Sequence, residues 1–423
     1  MAAVKYEPLK KVFYRASSGG KGLVEGQLAA RRDSPSTLEW GYEVNKFPLF
    51  AVLTRDLVAA LEDVWRSEIL IAQLWETLPR TAREHYIYEL LVDEIKATND
   101  IENISSTRKE VAEAVAAERG LSGSAENSTA RRFKEMVRQY LEVAKPIFGV
   151  KRGRGLDFPE SLQDIRALYD SLLGRELAPE DVPDGELFRS GDVAITDGAR
   201  ELHSGARGEA EIQRRLSVML ENSARSNEVD LCQSFAEHFM FEHIHPFYDG
   251  NGRMGRFLLN IRLSHVLSAQ TALSLSSEVF RQKSRYYDAF KLVEDPMNYA
   301  ELTFFLTDMT AMLRAAQTRL QDSLTERLAQ LRALQARMLG IANELEGLSE
   351  NAKTLLFVLG QVTLFGPRAG ITLDELARVL AVSKQTARKA ITELESLNVV
   401  EFLSRKPIII ALNQQGLELL QLD

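Results

Sequence analysis

Between His243 and Asn260 the chain reads HIHPFYDGNGRMGRFLLN. A histidine, a proline, a carboxylate, alternating glycines, an asparagine and two arginines stand directly in front of an apolar run. That mixture suits a phosphate-bearing ligand. Gly250 and Gly252 let backbone approach a ligand closely and adopt conformations barred to other residues. The following helix, expected from near Gly252 to about Leu267, begins with unpaired N–H groups and a dipole that attracts anions. Arg253 and Arg256 are three apart, so they share a face, and guanidinium forks fit phosphate oxygens. Asn251 adds a neutral donor and acceptor. Asp249 is a single carboxylate able to hold a Mg²⁺ that also touches phosphates. His245, at the other edge of the loop, is of the residue type whose ordinary titration range suits a general base. Together these residues describe attack on a nucleotide phosphate. His245 would take a proton from an incoming hydroxyl, while the cation and the helix start would stabilise charge on the phosphoryl group. The glycines are not a Walker A loop, because GxxxxGK[ST] is missing, and they follow no buried strand, so a dinucleotide-binding reading fails too.

The rest of the chain must position this loop. Its 423 residues suggest two or three domains. Apolar content of 45% and charge of 26% are those of an ordinary soluble globular protein. A net charge of −8 rules out a polycation that coats nucleic acid, so any DNA contact must come from a local patch. The single cysteine, Cys232, excludes an internal disulfide and a Cys-rich zinc site and reads as a core residue. The N-terminus lacks an apolar signal region, and no stretch of about 18 uncharged apolar residues is present, so neither secretion nor a membrane span is expected. A reducing cytoplasm is the expected setting. His238, Glu242, His243 and His245 raise zinc as a possibility, but no third ligand completes a zinc-type spacing.

Apolar periodicity predicts helices over 57–80, 83–99, 108–117, 130–143, 212–226 and 229–242. The first 50 or so residues read as irregular, and GLSGSAENS breaks the helical pattern. Residues 187–203 alternate and carry Gly-Asp and Asp-Gly pairs, which predicts a hairpin. His203 would line it or be simply exposed. Helix resumes over 302–348, with a stripe of Leu320, Leu324, Leu328, Leu331, Leu334, Met338, Ile341 and Leu345. The stripe fits a core-facing helix or a dimeric coiled coil. The last 70 residues read as two amphipathic helices and a hairpin around Arg405-Lys406-Pro407, the order of a winged helix. Lys384, Arg388 and Lys389 on its second helix, with Arg405 and Lys406 on the wing, make a plausible DNA-facing set. Glu393, Glu395 and Glu401 lie nearby and favour protein docking or a dimer contact instead.

HPFYDGNGRMGR resembles the signature of Fic domains, HPFx[D/E]GNGRxxR, at every defined position, and FAEHFMFEHIHPF is similar to the family's lead-in. The likeness spans roughly Tyr86 to Met312. It implies a mainly α fold: a helical bundle with a β-hairpin flap, a long connecting helix and the C-terminal winged helix-turn-helix. It also implies transfer of AMP from ATP to a Ser, Thr or Tyr hydroxyl of a target protein. By position, His245 is the base and Phe247 anchors the loop. Asp249 binds Mg²⁺ or Mn²⁺. Asn251 and the backbone at Gly250 and Gly252 hold phosphates, and Arg253 and Arg256 bind the outer ones. The hairpin takes the place of the flap, which holds a target segment by strand addition. TNDIEN, Thr98 to Asn103, resembles the family's inhibitory motif [S/T]xxxE[G/N]. Glu102 would then draw Arg256 away from the γ-phosphate. The domains expected are an irregular segment (1–55), a helical region with the inhibitory helix (56–145), the catalytic core (146–312), the connecting helix (313–348) and the winged helix (349–423). The leading expectation is a protein adenylyltransferase held off by Glu102. The alternatives are a DNA-binding regulator that senses nucleotide, or an enzyme that removes AMP. The winged helix would meet DNA or a protein, and a homodimer is open.

Overall fold

A computed structural model describes residues 6–16, 19–119, 132–148, 155–197, 200–224, 230–341, 343, 345–367 and 370–422. GLSGSAENS lies outside the described residues. The fold is mainly α, as expected. In chain order it starts with α1 (Leu9–Arg15), α2 (Gly20–Arg32) and a hairpin, β1 (Thr37–Val44) and β2 (Phe47–Val52). Then come α3 (Arg55–Thr77), α4 (Arg80–Ile101), α5 (Arg108–Glu118), α6 (Lys134–Ala144) and α7 (Leu162–Leu173). A second hairpin, β3 (Ala194–Asp197) and β4 (Arg200–Ser204), precedes α8 (Gly208–Ala224), α9 (Asp230–Ile244) and α10 (Asn251–Val266). Further on stand α11 (Ala269–Ala272), α12 (Leu275–Arg281), α13 (Lys283–Glu294) and the long α14 (Thr303–Gly340). The chain ends with α15 (Glu350–Phe365), β5 (Ile371–Thr372), α16 (Leu373–Val379), α17 (Lys384–Ser396), β6 (Val400–Arg405), β7 (Ile408–Leu412) and α18 (Gln414–Leu420).

Two compact units result, Met1–Glu68 with Leu156–Gln317 and Ile69–Gly155 with Thr318–Asp423. In the first, residues 9–15 and 20–52 are mostly helix and strand rather than irregular. Leu9, Val12 and Val24 of α1 and α2 form a buried cluster against Leu28 and Tyr299. Arg31 and Glu301 make an ion pair of 2.5 Å with both side chains buried. Strand β1 alternates, with Trp40, Tyr42 and Val44 inward. The Trp40 indole donates to Gln233 Oε1 at 2.8 Å, and the Tyr42 hydroxyl shares a 2.7 Å hydrogen bond with His243 Nδ1. Both partners lie on α9, so this hairpin fixes the helix that leads into the loop. Helix α9 is buried on nearly every side, which makes it a core helix rather than an amphipathic one. The second hairpin is shorter than the alternation suggested: pairing runs from Ala194↔Ser204 to Asp197↔Arg200, and residues 187–193 are not strand. The helix predicted over 57–80 is present as α3, yet Trp65 and Ile69 of its expected apolar face are exposed.

In the second unit, α4 packs against α5, α6 and α15. Its last turn holds the TNDIEN residues. Thr98 and Asn99 are fully buried, Glu102 is the C-terminal cap and Asn103 is left-handed at φ 57°. Asn103 N–H donates to Asp100 O, and Ile104 N–H to Asn99 O. These are the two bonds of a Schellman end, which needs Gly or Asn at that position. The motif's last letter is thus a helix stop. Asn103→Gly is expected to leave stability nearly unchanged, while Asn103→Val costs about 1–2 kcal/mol through left-handed strain. Urea denaturation checks this; equal midpoints for both variants would refute it.

The leucine stripe is core. Leu320, Leu324, Leu328, Leu331, Leu334, Ile341 and Leu345 are all buried, so no dimeric coiled coil is available to them. The helix itself stops at Gly340. At Gly360 of α15 an added Cβ would sit 2.7 Å from Leu334, a measure of how closely the two helices approach. The C-terminal residues give helix, turn, helix and hairpin in the expected order. β7 is central in a three-stranded antiparallel sheet, β5-β7-β6, with Ile410 opposite both Ile371 and Phe402. Among the described residues, no helix is long and apolar enough to cross a membrane.

Candidate active site

Helix α9 ends at Ile244, and His245 turns the chain with φ 55°. Non-glycine residues adopt this conformation only when their surroundings impose it. Here the imposing group is Arg189, fully buried. Its Nε donates to His245 O at 2.8 Å, one terminal nitrogen to Gly191 O at 2.5 Å, and the other to Ala206 O at 2.7 Å and Ile244 O at 3.4 Å. Arg189 N–H also donates to Pro246 O at 3.2 Å. One guanidinium thus satisfies the carbonyls that a sharp turn leaves over. Burial pulls its pKa below the usual arginine value. The segment bearing Arg189 is itself held. Glu209 accepts the N–H groups of Glu186, Leu187 and Phe188. Burial pushes the Glu209 carboxyl up, but those bonds outweigh it and leave it below the usual range. Asp184 accepts from Ser190 N–H, the Ser190 hydroxyl and the Tyr248 hydroxyl, each at 2.8 Å, which brings its carboxyl down to about 2.

Phe247 is fully buried, with its ring stacked on Tyr169 at 3.5 Å between centroids. The Tyr169 hydroxyl donates to Asp249 O at 2.9 Å. Gly250 follows at φ 77°, and a Cβ there would fall 2.4 Å from Leu173. Both its backbone conformation and its neighbours demand glycine. Asn251 N–H₂ donates to Phe247 O at 2.8 Å, and its Oδ1 accepts Phe247 N–H at 2.9 Å. Its amide therefore closes the loop, a shaping role beside the phosphate contact expected of it. Helix α10 begins with Gly250 as cap, no side-chain cap and no acid in its first turn. The start of the helix faces the loop uncompensated, as an anion site requires.

The arginines differ from the simple picture of two free forks. Both Arg253 and Arg256 have only 3% of their surface exposed. One terminal nitrogen of Arg253 pairs with Glu176 at 2.7 Å and the other with Asp249 at 3.3 Å. Arg253 Nε is buried with no hydrogen-bond partner among the described residues. The Asp249 side chain is 51% exposed at the loop's rim. Among the described residues no group of three His, Cys, Asp or Glu is arranged for a metal. His238 is also no ligand: Nδ1–H donates to Gly255 O at 3.2 Å and Nε2 accepts from Tyr286 at 2.8 Å. Burial, with Arg256 adding to it, pushes its pKa down to about 3 and keeps it neutral.

Thr98, Glu102 and Asn103 belong to the second unit and the loop to the first. The residues that sequence reading missed are Arg189, Glu176, Tyr169 and Glu209. Tyr169 follows the apolar period of α7, whereas the other three carry no periodic signal, and each acts across a long chain separation.

No curated protein matches the chain. A Fic family protein from Desulfovibrio desulfuricans G20 superposes with a TM-score of 0.50 at 19% identity, covering 86% of this chain and 97% of that one. Fic-1 (aa134–508) from C. elegans gives a TM-score of 0.46 at 13% identity, covering 75% of this chain and 81% of that one. At 19% identity the first likeness speaks for the fold alone. The family comparison is more local: the Fic/DOC family matches over residues 159–263, a span that includes the buried clamp, the turn, its glycines and both arginines.

Proposed function

We propose that this domain transfers AMP from ATP to a hydroxyl side chain of another protein. The observation that carries the reading is the clamped turn: His245 is held at one end and the uncapped start of α10 at the other, with Asp249 between. The triphosphate would lie against the first turn of α10. Arg253 Nε, a buried donor without an acceptor among the described residues, and Arg256 would meet its oxygens. His245 takes the proton of the incoming hydroxyl. The hydroxyl oxygen attacks the α-phosphorus, its bond to the β-phosphate bridging oxygen breaks, and diphosphate leaves. Asp249 would hold a Mg²⁺ or Mn²⁺ ion, which when bound offsets phosphate charge; one exposed carboxylate suits an ion that keeps water and shares phosphates. Strands β3 and β4 fit the flap, pairing with an extended target segment.

Autoinhibition by Glu102 belongs to the same proposal. The motif's stop at Asn103 supports it by setting Glu102 at the last turn of α4. Incubation with labelled ATP and a cell extract tests both points. Glu102→Gly is expected to raise protein labelling about 5- to 150-fold, the usual span of a coupling free energy. Equal labelling of wild type and variant would sink the autoinhibition; labelling by neither would sink the transfer reaction.

The C-terminal elements we read as a winged helix. Arg388 and Lys389 are exposed on α17, but Lys384 is paired with Asp374 at 2.7 Å and Arg405 stands 3.8 Å from Glu395. Two of the five candidate DNA-facing cations are thus already compensated, which favours a protein partner over duplex DNA. The proposed setting is the cytoplasm.

A further inference from the structure

Within the second unit, α4, α5, α6 and α16 enclose a cleft of about 570 Å³. Four carboxylates border it, and each already has a cation. Glu375 gives Oε1 to Arg119 at 2.9 Å and Oε2 to the N–H and hydroxyl of Thr372 at 3.1 and 3.0 Å. Glu118 faces Lys134 at 3.7 Å and Arg138 at 3.4 Å. Glu142 pairs with Lys145 at 2.7 Å, and Asp374 with Lys384 at 2.7 Å.

The cations are less well matched. Arg378 is exposed on α16 and makes no ion pair among the described residues. Arg119, the cap of α5, has a side chain only 5% exposed and lies over the Tyr88 ring at 3.9 Å. Its Nε is buried and has no hydrogen-bond partner among the described residues. Buried donors without acceptors are rare, and each calls for a ligand or water to explain it. Burial raises the Tyr88 phenol, and both arginines are close enough to oppose that rise. Tyr88, Arg119 and Arg378 all line the cleft, with Arg119 over the aromatic ring.

We propose that this cleft binds a small organic anion, with a carboxylate or phosphate group set between Arg119 and Arg378. Guanidinium pairs hold such groups by charge-assisted, geometrically matched hydrogen bonds. The ring of Tyr88 keeps the Arg119 plane fixed, so the site is largely preformed. An occupant would join α5 to α16, and so the helical part of the unit to its C-terminal part.

Calorimetric titration of the full chain with inorganic phosphate, and separately with malonate, tests the site. Wild type is expected to bind at least one of them, and the stronger probe tells a phosphate-bearing ligand from a carboxylate one. Arg378→Gln, a change at an exposed position, is expected to weaken that binding about tenfold or more, the effect of losing one charged hydrogen bond. Arg256→Ala, in the other unit, is expected to leave it in place. Binding that survives Arg378→Gln in the Arg256→Ala background overturns the proposal, and so does a wild type that binds neither probe. Crystals soaked in tungstate give a second reading: density between Arg119 and Arg378 supports the site, and density only elsewhere overturns it.

Discussion

His245→Ala is expected to lower AMP transfer about 10²–10⁴-fold, the range for loss of a general base. The test is best run in the Glu102→Gly background, where transfer is expected to be measurable. ATP affinity should hold, because phosphate contacts are assigned to α10 and not to the imidazole. A lower rate at unchanged nucleotide affinity is the signature of an interaction made only in the transition state. The backbone argues for the same outcome. The His245 carbonyl, not its side chain, is what Arg189 holds, so the clamp survives the substitution. Single-turnover rates with nucleotide titration separate the two quantities. A variant that transfers AMP at the normal rate removes His245 from the chemistry.

Arg189→Met is the second large effect, and it acts through structure. The substitution leaves the carbonyls of His245, Gly191 and Ala206 without their donor inside the protein. Hydrogen bonds to a charged group contribute about 1.5–3 kcal/mol each, and unsatisfied buried carbonyls cost about 1–3 kcal/mol apiece. A loss of about 4 kcal/mol or more is therefore expected, at the upper end of what single substitutions do. No other side chain in the family of bases replaces it. Lysine brings a single point of donation and cannot reach three carbonyls at fixed angles, so Arg189→Lys should recover little. Denaturant unfolding gives the stability, and labelled-ATP transfer in the Glu102→Gly background gives the activity. Full stability together with full activity in Arg189→Met would show that the turn holds itself.

These two residues divide the site by how far its determinants lie apart. His245 and the loop after it could be read because their chemistry is local. Gly250 needs its left-handed turn, Asn251 bonds Phe247 four residues away, and α10 starts within the polar motif, at Asn251. Neighbouring residues alone set such contacts. The stop at Asn103 is local in the same way. The first 50 residues misled because α1 and α2 are short and weakly patterned. They become helices by packing on Tyr299, far along the chain. The leucine stripe left two readings open, since an apolar seam has the same period whether it meets a second copy or its own chain. Burial decided for the chain itself.

Sequence by itself determined the glycine-bearing turn after His245, the mainly helical class, and the order of the C-terminal elements. Each follows from residue type and spacing within a dozen or so positions. Only the tertiary structure decided what holds that turn. Arg189 stands 56 residues before His245, Glu176 is 77 from Arg253, and Tyr42 is 201 from His243. Such partners are chosen by how the chain closes on itself. A buried guanidinium is tolerated wherever enough carbonyls converge, and no local pattern records that convergence.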